Sequence, residues 1–375
     1  MLMTATSSPT IAPVPSQARG PRLAQFRRSA EVIAIPVLAL VVSAGLFSLF
    51  LLALGKSPVQ FYQLVWLGGF GTAFSWSNTL LRAAPLMLTA LAVAIPARLG
   101  MTMIGAEGAL VLGGFAAAAI AIPMIGKSDP LVMNAVMLLA AVLIGGLWTG
   151  LAGALRRYRG VNETISTLLL SYIAIAIMNF FVEGALRDPA DPNKPSTKTI
   201  GAEAMIGKIP GIDVHWGLAF AVGTCIILYI LMLRTTFGFA CTMAGGNPRA
   251  ALAQGLPVGR LVVLAAMIAG ACAGLAGFFE VAAVHGKANA SLAAGYGFTG
   301  ILVAFLARHH PLAIIPVAIL FGGIAAAGGI IQRRMGLPDA SVLLLQGLCF
   351  VVLLASETLY GRFKLFNPDL RAERT

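Results

Sequence analysis

Charge is scarce in this chain. Of 375 residues only 11% are Asp, Glu, Lys or Arg. A water-soluble domain of comparable length carries about 25%, so there is too little polar surface to solvate a globule. Cysteine is equally thin. Cys225, Cys272 and Cys349 fall inside apolar runs and Cys241 falls in a connecting loop, with no CxxC and no Cys/His cluster. Neither a disulfide framework nor a metal site is supported. The four histidines are scattered apart from His309-His310. Paired nucleophiles and bases converging at membrane depth are missing, which argues against an intramembrane enzyme. The two Gly-Lys-Ser triplets, at Gly55 and Gly126, lack the upstream glycine of a phosphate-binding loop, since Phe50 and Ala121 stand there. No basic stripe interleaved with aromatics occurs either, so the net charge of +12 does not indicate nucleic acid. The basic residues lie between apolar runs, where they set membrane topology and meet anionic lipid.

What is abundant is hydrophobicity: 58% of residues are apolar and the mean hydropathy is +0.89. The apolar residues come in runs of about 20, the length that crosses a bilayer core as a helix. The runs are 30–54, 80–98, 101–123, 131–155, 162–183, 214–233, 260–283, 296–307, 311–331 and 340–358, about ten helical elements in an all-α membrane domain over 30–360. An even count puts both termini on one side. Arg98, Arg156, Arg157, Arg159, Arg234, Arg249, Arg260, Arg308 and the basic segments 1–29 and 361–375 share that side, which the positive-inside rule makes cytoplasmic. The long loop 184–213 then faces out. Segment 1–29, rich in Ser, Pro and Ala and ending in a basic patch, reads as a disordered tail.

Three stretches depart from plain spans. Segment 55–79 is aromatic-rich with glycines and suits the outer interface, Trp66 and Trp76 serving as anchors. Only Ala97 to Gly100 separate two runs, so that turn lies at membrane depth. The run 298–307 covers only about 15 Å, half a bilayer. It reads as a short or re-entrant helix, tolerated only against protein or a water-filled path. Glu107, inside an apolar run, is the most informative ionisable residue. Two readings stay open: contact with a solute, or a helix-cap or interhelical hydrogen bond with Gly105 and Gly108 permitting close packing. Glu163 suits a first helical turn. Glu280 and Glu357, near helix ends, read as solvated. In the cytoplasmic loop 235–260, Asn247 to Gln254 carries a capping Asn, Pro at the first helical position, alanines and a stop at Gly255. It predicts a short surface helix.

Four motifs in register resemble the permeases of bacterial simple-sugar and nucleoside ABC importers, the branch associated with basic-membrane-protein lipoproteins. Ile104-Gly105-Ala106-Glu107-Gly108 is similar to that family's N-I-G-A-E-G-Q. Gly160 to Thr167 is similar to V-N-E-x-I-S-T. Gly245-Gly246-Asn247-Pro248-Arg249-Ala250-Ala251, with Gly255 following, resembles its cytoplasmic coupling segment. Gly295-Tyr296-Gly297-Phe298, then Val303-Ala304, Arg308 and Pro311-Leu312, resembles G-Y-G-F-x-x-I-A-V-A-L-L-G-R-N-x-P-L. Met103, Ala109, Ser171, Thr299 and His309-His310 depart from the pattern, several of them replacing polar residues.

The resemblance implies a vitamin-B12-importer-like (type II) permease fold in a bacterial inner membrane. It implies no cofactor, and as partners a second permease subunit, a cytoplasmic ATPase and an extracytoplasmic solute-binding protein. On the substrate path it places Glu107, Gly105, Gly108, Asn162, Ser166, Tyr296, Phe298 and Thr299. At the ATPase contact it places Asn247, Pro248, Arg249, Ala250, Ala251 and Gly255. The competing reading is an ion-driven secondary transporter with Glu107 as the ion site.

Overall fold

The computed structural model describes residues 21–191 and 194–357, with side chains from 34 to 356. The helices are α1 (Pro21–Ala53), α2 (Pro58–Gly69), α3 (Ala73–Ala97), α4 (Ala106–Ala121), α5 (Pro130–Arg159), α6 (Glu163–Glu183), α7 (Gly217–Arg234), α8 (Thr236–Gly246), α9 (Pro248–Ala253), α10 (Val258–Phe279), α11 (Tyr296–Leu306), α12 (Pro311–Ala326), α13 (Gly328–Met335) and α14 (Ala340–Glu357). Among the described residues there is no sheet, only the isolated bridges Ser196–Asn289 and Lys208–His215. Among the described residues, eight helical stretches are long and apolar enough to cross a membrane, and the shorter Ala290–Leu306 and Ala340–Ser356 accompany them. These ten coincide with the ten apolar runs. The chain is an all-α, multi-pass membrane protein. The segments 1–20 and 361–375 lie outside the described residues, and α1 begins at Pro21, inside the stretch assigned to the N-terminal tail.

Segment boundaries shift where capping or tertiary bonds override hydropathy. The stretch 55–79 is helical for most of its length. Ser57 caps α2, with Pro58 at its first position, and the Thr72 hydroxyl accepts from Ser75 N at 3.0 Å to start α3 well before residue 80. Trp66 and Trp76 are exposed on it, as anchors would be. The span expected from residue 101 begins only at Ala106. Residues 101–104 are extended or irregular because α6 engages their backbone: Thr164 Oγ1 donates to Thr102 O at 2.7 Å, and Ile104 N donates to Thr167 Oγ1 at 3.1 Å. The run 311–331 breaks at Ala327 into α12 and α13.

Successive spans alternate in direction. One end of the bundle carries the 184–216 loop, and the opposite end carries α8 and α9. Small residues permit the central contacts. Gly113 on α4 and Gly145 on α5 both press against Gly274 of α10, where an added Cβ would overlap backbone. α3, buried from Ala83 to Pro96, is flanked by α7, α10, α11 and α12. The long loop is stitched to the chain that follows α10: Ile206 N donates to Ala282 O at 2.8 Å, Ile200 N to Gly286 O at 2.9 Å and Thr197 N to Ala288 O at 3.0 Å.

Candidate functional site

α11 has 11 residues, about 16 Å at 1.5 Å per residue, so it spans about half of a ~30 Å hydrocarbon core. Its C-terminus lies near the α8–α9 end, which leaves its N-terminus at mid-depth. The first amides of a helix have no partner within it. Here they are met by Glu107. One carboxylate oxygen accepts from Gly295 N at 2.8 Å and the other from Gly297 N at 2.6 Å. Glu107 itself occupies the first turn of α4, so a single carboxylate group lies at the positive ends of two helices that both begin inside the bundle. Gly297 makes the approach possible, since a Cβ there would overlap the Glu107 backbone. Glu107 is only 1% exposed. The interhelical hydrogen bond, one of its two readings, is present.

The other residues expected on the path divide into two groups. Gly105, Gly108, Asn162 and Ser166 belong to the α4–α6 seam. Gly105 packs on Thr167 and Gly108 on Ser171, whose hydroxyl accepts from Gly108 N at 3.3 Å. Asn162 caps α6, accepting from Thr164 N at 2.9 Å, and Ser166 is buried and donates to Glu163 O. Glu163, in the first turn, pairs with Arg156. Tyr296, Phe298 and Thr299 instead border cavities.

One cavity, an open groove of about 770 Å³, runs toward the α8–α9 end and is mostly apolar, with Phe298, Leu302, Phe305 and Phe350 among its walls. The other, about 100 Å³, lies on the loop side and is lined by Arg82, Tyr296, Thr299, Asp339 and Gln346 among others. They meet at Ala294, Thr299, Leu343 and Gln346. There Thr299 Oγ1 lies 3.1 Å from Gln346 Oε1, which accepts its hydrogen bond. Arg82, Asp339 and Gln346 were not singled out from the sequence. Gln346 had a signal: it is the one amide side chain in the run 340–358.

At the opposite end, Asn247 Oδ1 accepts from Arg249 N and Ala250 N, both at 3.1 Å, and starts α9 as its sequence pattern requires. Gly255 ends it at φ +79°. Pro248, Arg249 and Ala250 are exposed, but Ala251 is not. At 2% exposure it points into the bundle and presents nothing to a partner. α8 was not anticipated, and Cys241 is buried within it rather than lying in a loop. Gly245 of α8 rests on the Arg98 carbonyl, where no side chain would fit. α8 therefore bears directly on the turn that leads to Glu107.

Glu280 also departs from expectation. It is 4% exposed, at the start of a π-helical turn, Glu280–His285, and its carboxylate lies 3.4 Å from His285 Nε2. It lies inside the packed bundle, which hydropathy near a helix end does not reveal. The side chain of Glu357 lies outside the described ones.

Residues 75–354 match the family model described as branched-chain amino acid transport system / permease component. The chain belongs to this permease family. It is a transport subunit rather than an enzyme, homologous to sugar and nucleoside permeases. It is 32% identical to the glucose ABC transporter permease protein TsgB13 of Haloferax volcanii, over 90% of each chain. It is 28% identical to the guanosine ABC transporter permease protein NupP of Bacillus subtilis, over 82% of this chain and 89% of that one. Among solved structures, PsaBC from Streptococcus pneumoniae in complex with Fab overlays with a TM-score of 0.39 at 14% identity, covering 79% of this permease and 94% of that chain. That likeness is too remote to assign the fold type.

Proposed function

We propose that this permease forms half of the translocation path of an ATP-binding cassette importer for a nucleoside or simple sugar. It works with a second permease, a cytoplasmic ATPase pair and an extracytoplasmic solute-binding protein. The relatives named for glucose and guanosine support the solute class. The charge asymmetry supports cytoplasmic termini, with α8 and α9 facing the ATPase and the 184–213 loop facing the binding protein. The half-length α11 and the short α9 are consistent with the vitamin-B12-importer type of fold.

The observation that carries the proposal is the mechanical continuity from α9 to the membrane interior. α9 displays an exposed face of Arg249, Ala250, Leu252 and Ala253. α8 joins it to the Arg98 turn, and the 101–104 segment leads on to Glu107 and the start of α11. Movement imposed on α9 by a nucleotide-driven partner reaches the half-helix through packed backbone. With Glu107 as the ion site, the ion-driven alternative would need that carboxylate free to exchange its ion, whereas both its oxygens are engaged by backbone amides.

Purification of the tagged permease from its native host tests this. An ATPase should come with it, and its hydrolysis should rise when the loaded binding protein is added. Ala253→Trp, on the exposed face, should abolish that stimulation while leaving the permease inserted. Absence of any ATPase, or full stimulation in the variant, would remove the coupling role.

A further inference from the structure

We propose that the small loop-side cavity is the selecting vestibule of the permease, that it takes a neutral, hydroxyl-rich solute, and that the Thr299–Gln346 contact is the constriction such a solute must open. The proposal rests on the importer reading above and names the site within it.

The lining carries the argument for neutrality. Arg82 and Asp339 contribute one charge of each sign, and Tyr296, Thr299 and Gln346 contribute a phenol, a hydroxyl and an amide. Together they offer both donors and acceptors with no net charge. An anion would gain Arg82 and be opposed by Asp339; a cation would meet the reverse. The half-helix amides on either side of the lining residue Tyr296 would ordinarily favour an anion, but Gly295 N and Gly297 N are already taken by Glu107. Glu107 thus fills the anion site with a group of the protein's own, and what stays open is suited to hydroxyls.

The constriction follows from the shared walls. Only Ala294, Thr299, Leu343 and Gln346 belong to both cavities. Gln346 is 5% exposed and its carbonyl oxygen holds the Thr299 hydroxyl. A solute hydroxyl can replace this bond without loss, donating to Gln346 Oε1 while accepting from Thr299 Oγ1. The vestibule, at about 100 Å³, is smaller than the ~300–1,000 Å³ typical of an occupied ligand pocket, as befits a closed constriction. Beyond it the groove walls are largely apolar, with Phe298, Phe305 and Phe350 among them, and such walls bind a hydroxylated solute weakly and let it leave. Passage needs such a gradient from adequate to weak binding.

The test uses the full transporter in proteoliposomes with radiolabelled guanosine and glucose. Gln346→Leu and Thr299→Val should lower the maximal ATP-driven uptake of the transported probe about tenfold. The concentration of loaded binding protein giving half-maximal rate should not move, because docking is untouched. Gln346→Asn and Thr299→Ser should retain most of the rate. A second arm probes the site directly in the permease–ATPase complex. The four native cysteines are buried, so a small methanethiosulfonate reagent added from the loop side should report on Thr299→Cys. Millimolar guanosine or glucose should slow its modification, and guanosine monophosphate or glucose 6-phosphate should not. Wild-type rates in both apolar variants, or equal protection by neutral and phosphorylated probes, would overturn the vestibule while leaving the importer reading intact. Failure of the wild type to import either neutral probe with ATP would overturn the solute reading, and the vestibule with it.

Discussion

Two short helices in this permease begin in opposite ways. α9 takes its cap from the residue immediately before it, Asn247, in an exposed setting. α11 takes its cap from Glu107, 188 residues from Gly295 and buried between helices. A local cap stabilises one turn of one helix. A remote cap also fixes where two helices meet, so removing it disturbs the bundle as well as the helix end. The first arrangement suits a segment that moves against a partner; the second suits a junction that defines a path.

The comparison can be broken most forcefully at Gly297. Gly297→Val should yield almost no folded protein, because its side chain would occupy the space of the Glu107 backbone. Detergent-soluble, monodisperse yield measures this, and a normal yield would mean that the two helices are not in contact. Next comes the carboxylate itself. Glu107→Ala leaves two buried amides unpaired at about 1–3 kcal/mol each, and should lower the melting temperature of the purified complex clearly. Glu107→Gln, which keeps one acceptor oxygen, should fall in between. A smaller effect is expected at the other cap. Asn247→Ala should cost about 0.5–2 kcal/mol of local helix stability, reducing stimulated ATP hydrolysis with little change in global melting. Smallest is Arg249→Ala, an exposed charge whose pairing would contribute about 0–1 kcal/mol; stimulated hydrolysis should stay within about twofold of wild type.

The same contrast explains what was legible beforehand. Capping by Asn247, Pro at the first position of α9 and the glycine stop are nearest-neighbour effects, so they stand in the sequence in order. The apolar runs were legible because bilayer thickness imposes their length. The break at 101–104 was not, because Met101, Met103 and Ile104 are as hydrophobic as any helix; the side chains that hold them irregular, Thr164 and Thr167, belong to α6. For Glu107 the sequence allowed an interhelical hydrogen bond but did not identify its partner. Glu280 was misjudged for the same reason, since its burial is set by tertiary packing rather than by its neighbours in sequence. Ala251 shows the limit of composition: six residues of helix establish that α9 has two faces, but only its packing on α8 and α10 decides which one is inward.

The central claim is that transport is powered from outside this chain and that Glu107 is a fixed structural carboxylate. Solute uptake into sealed vesicles containing the permease complex, with ATP supplied on the ATPase side and all proton and sodium gradients collapsed, tests it most directly. The account predicts that uptake of guanosine or glucose persists under those conditions and stops when ATP is withheld. Uptake by the permease alone, driven by an imposed ion gradient and abolished by Glu107→Gln, would contradict it.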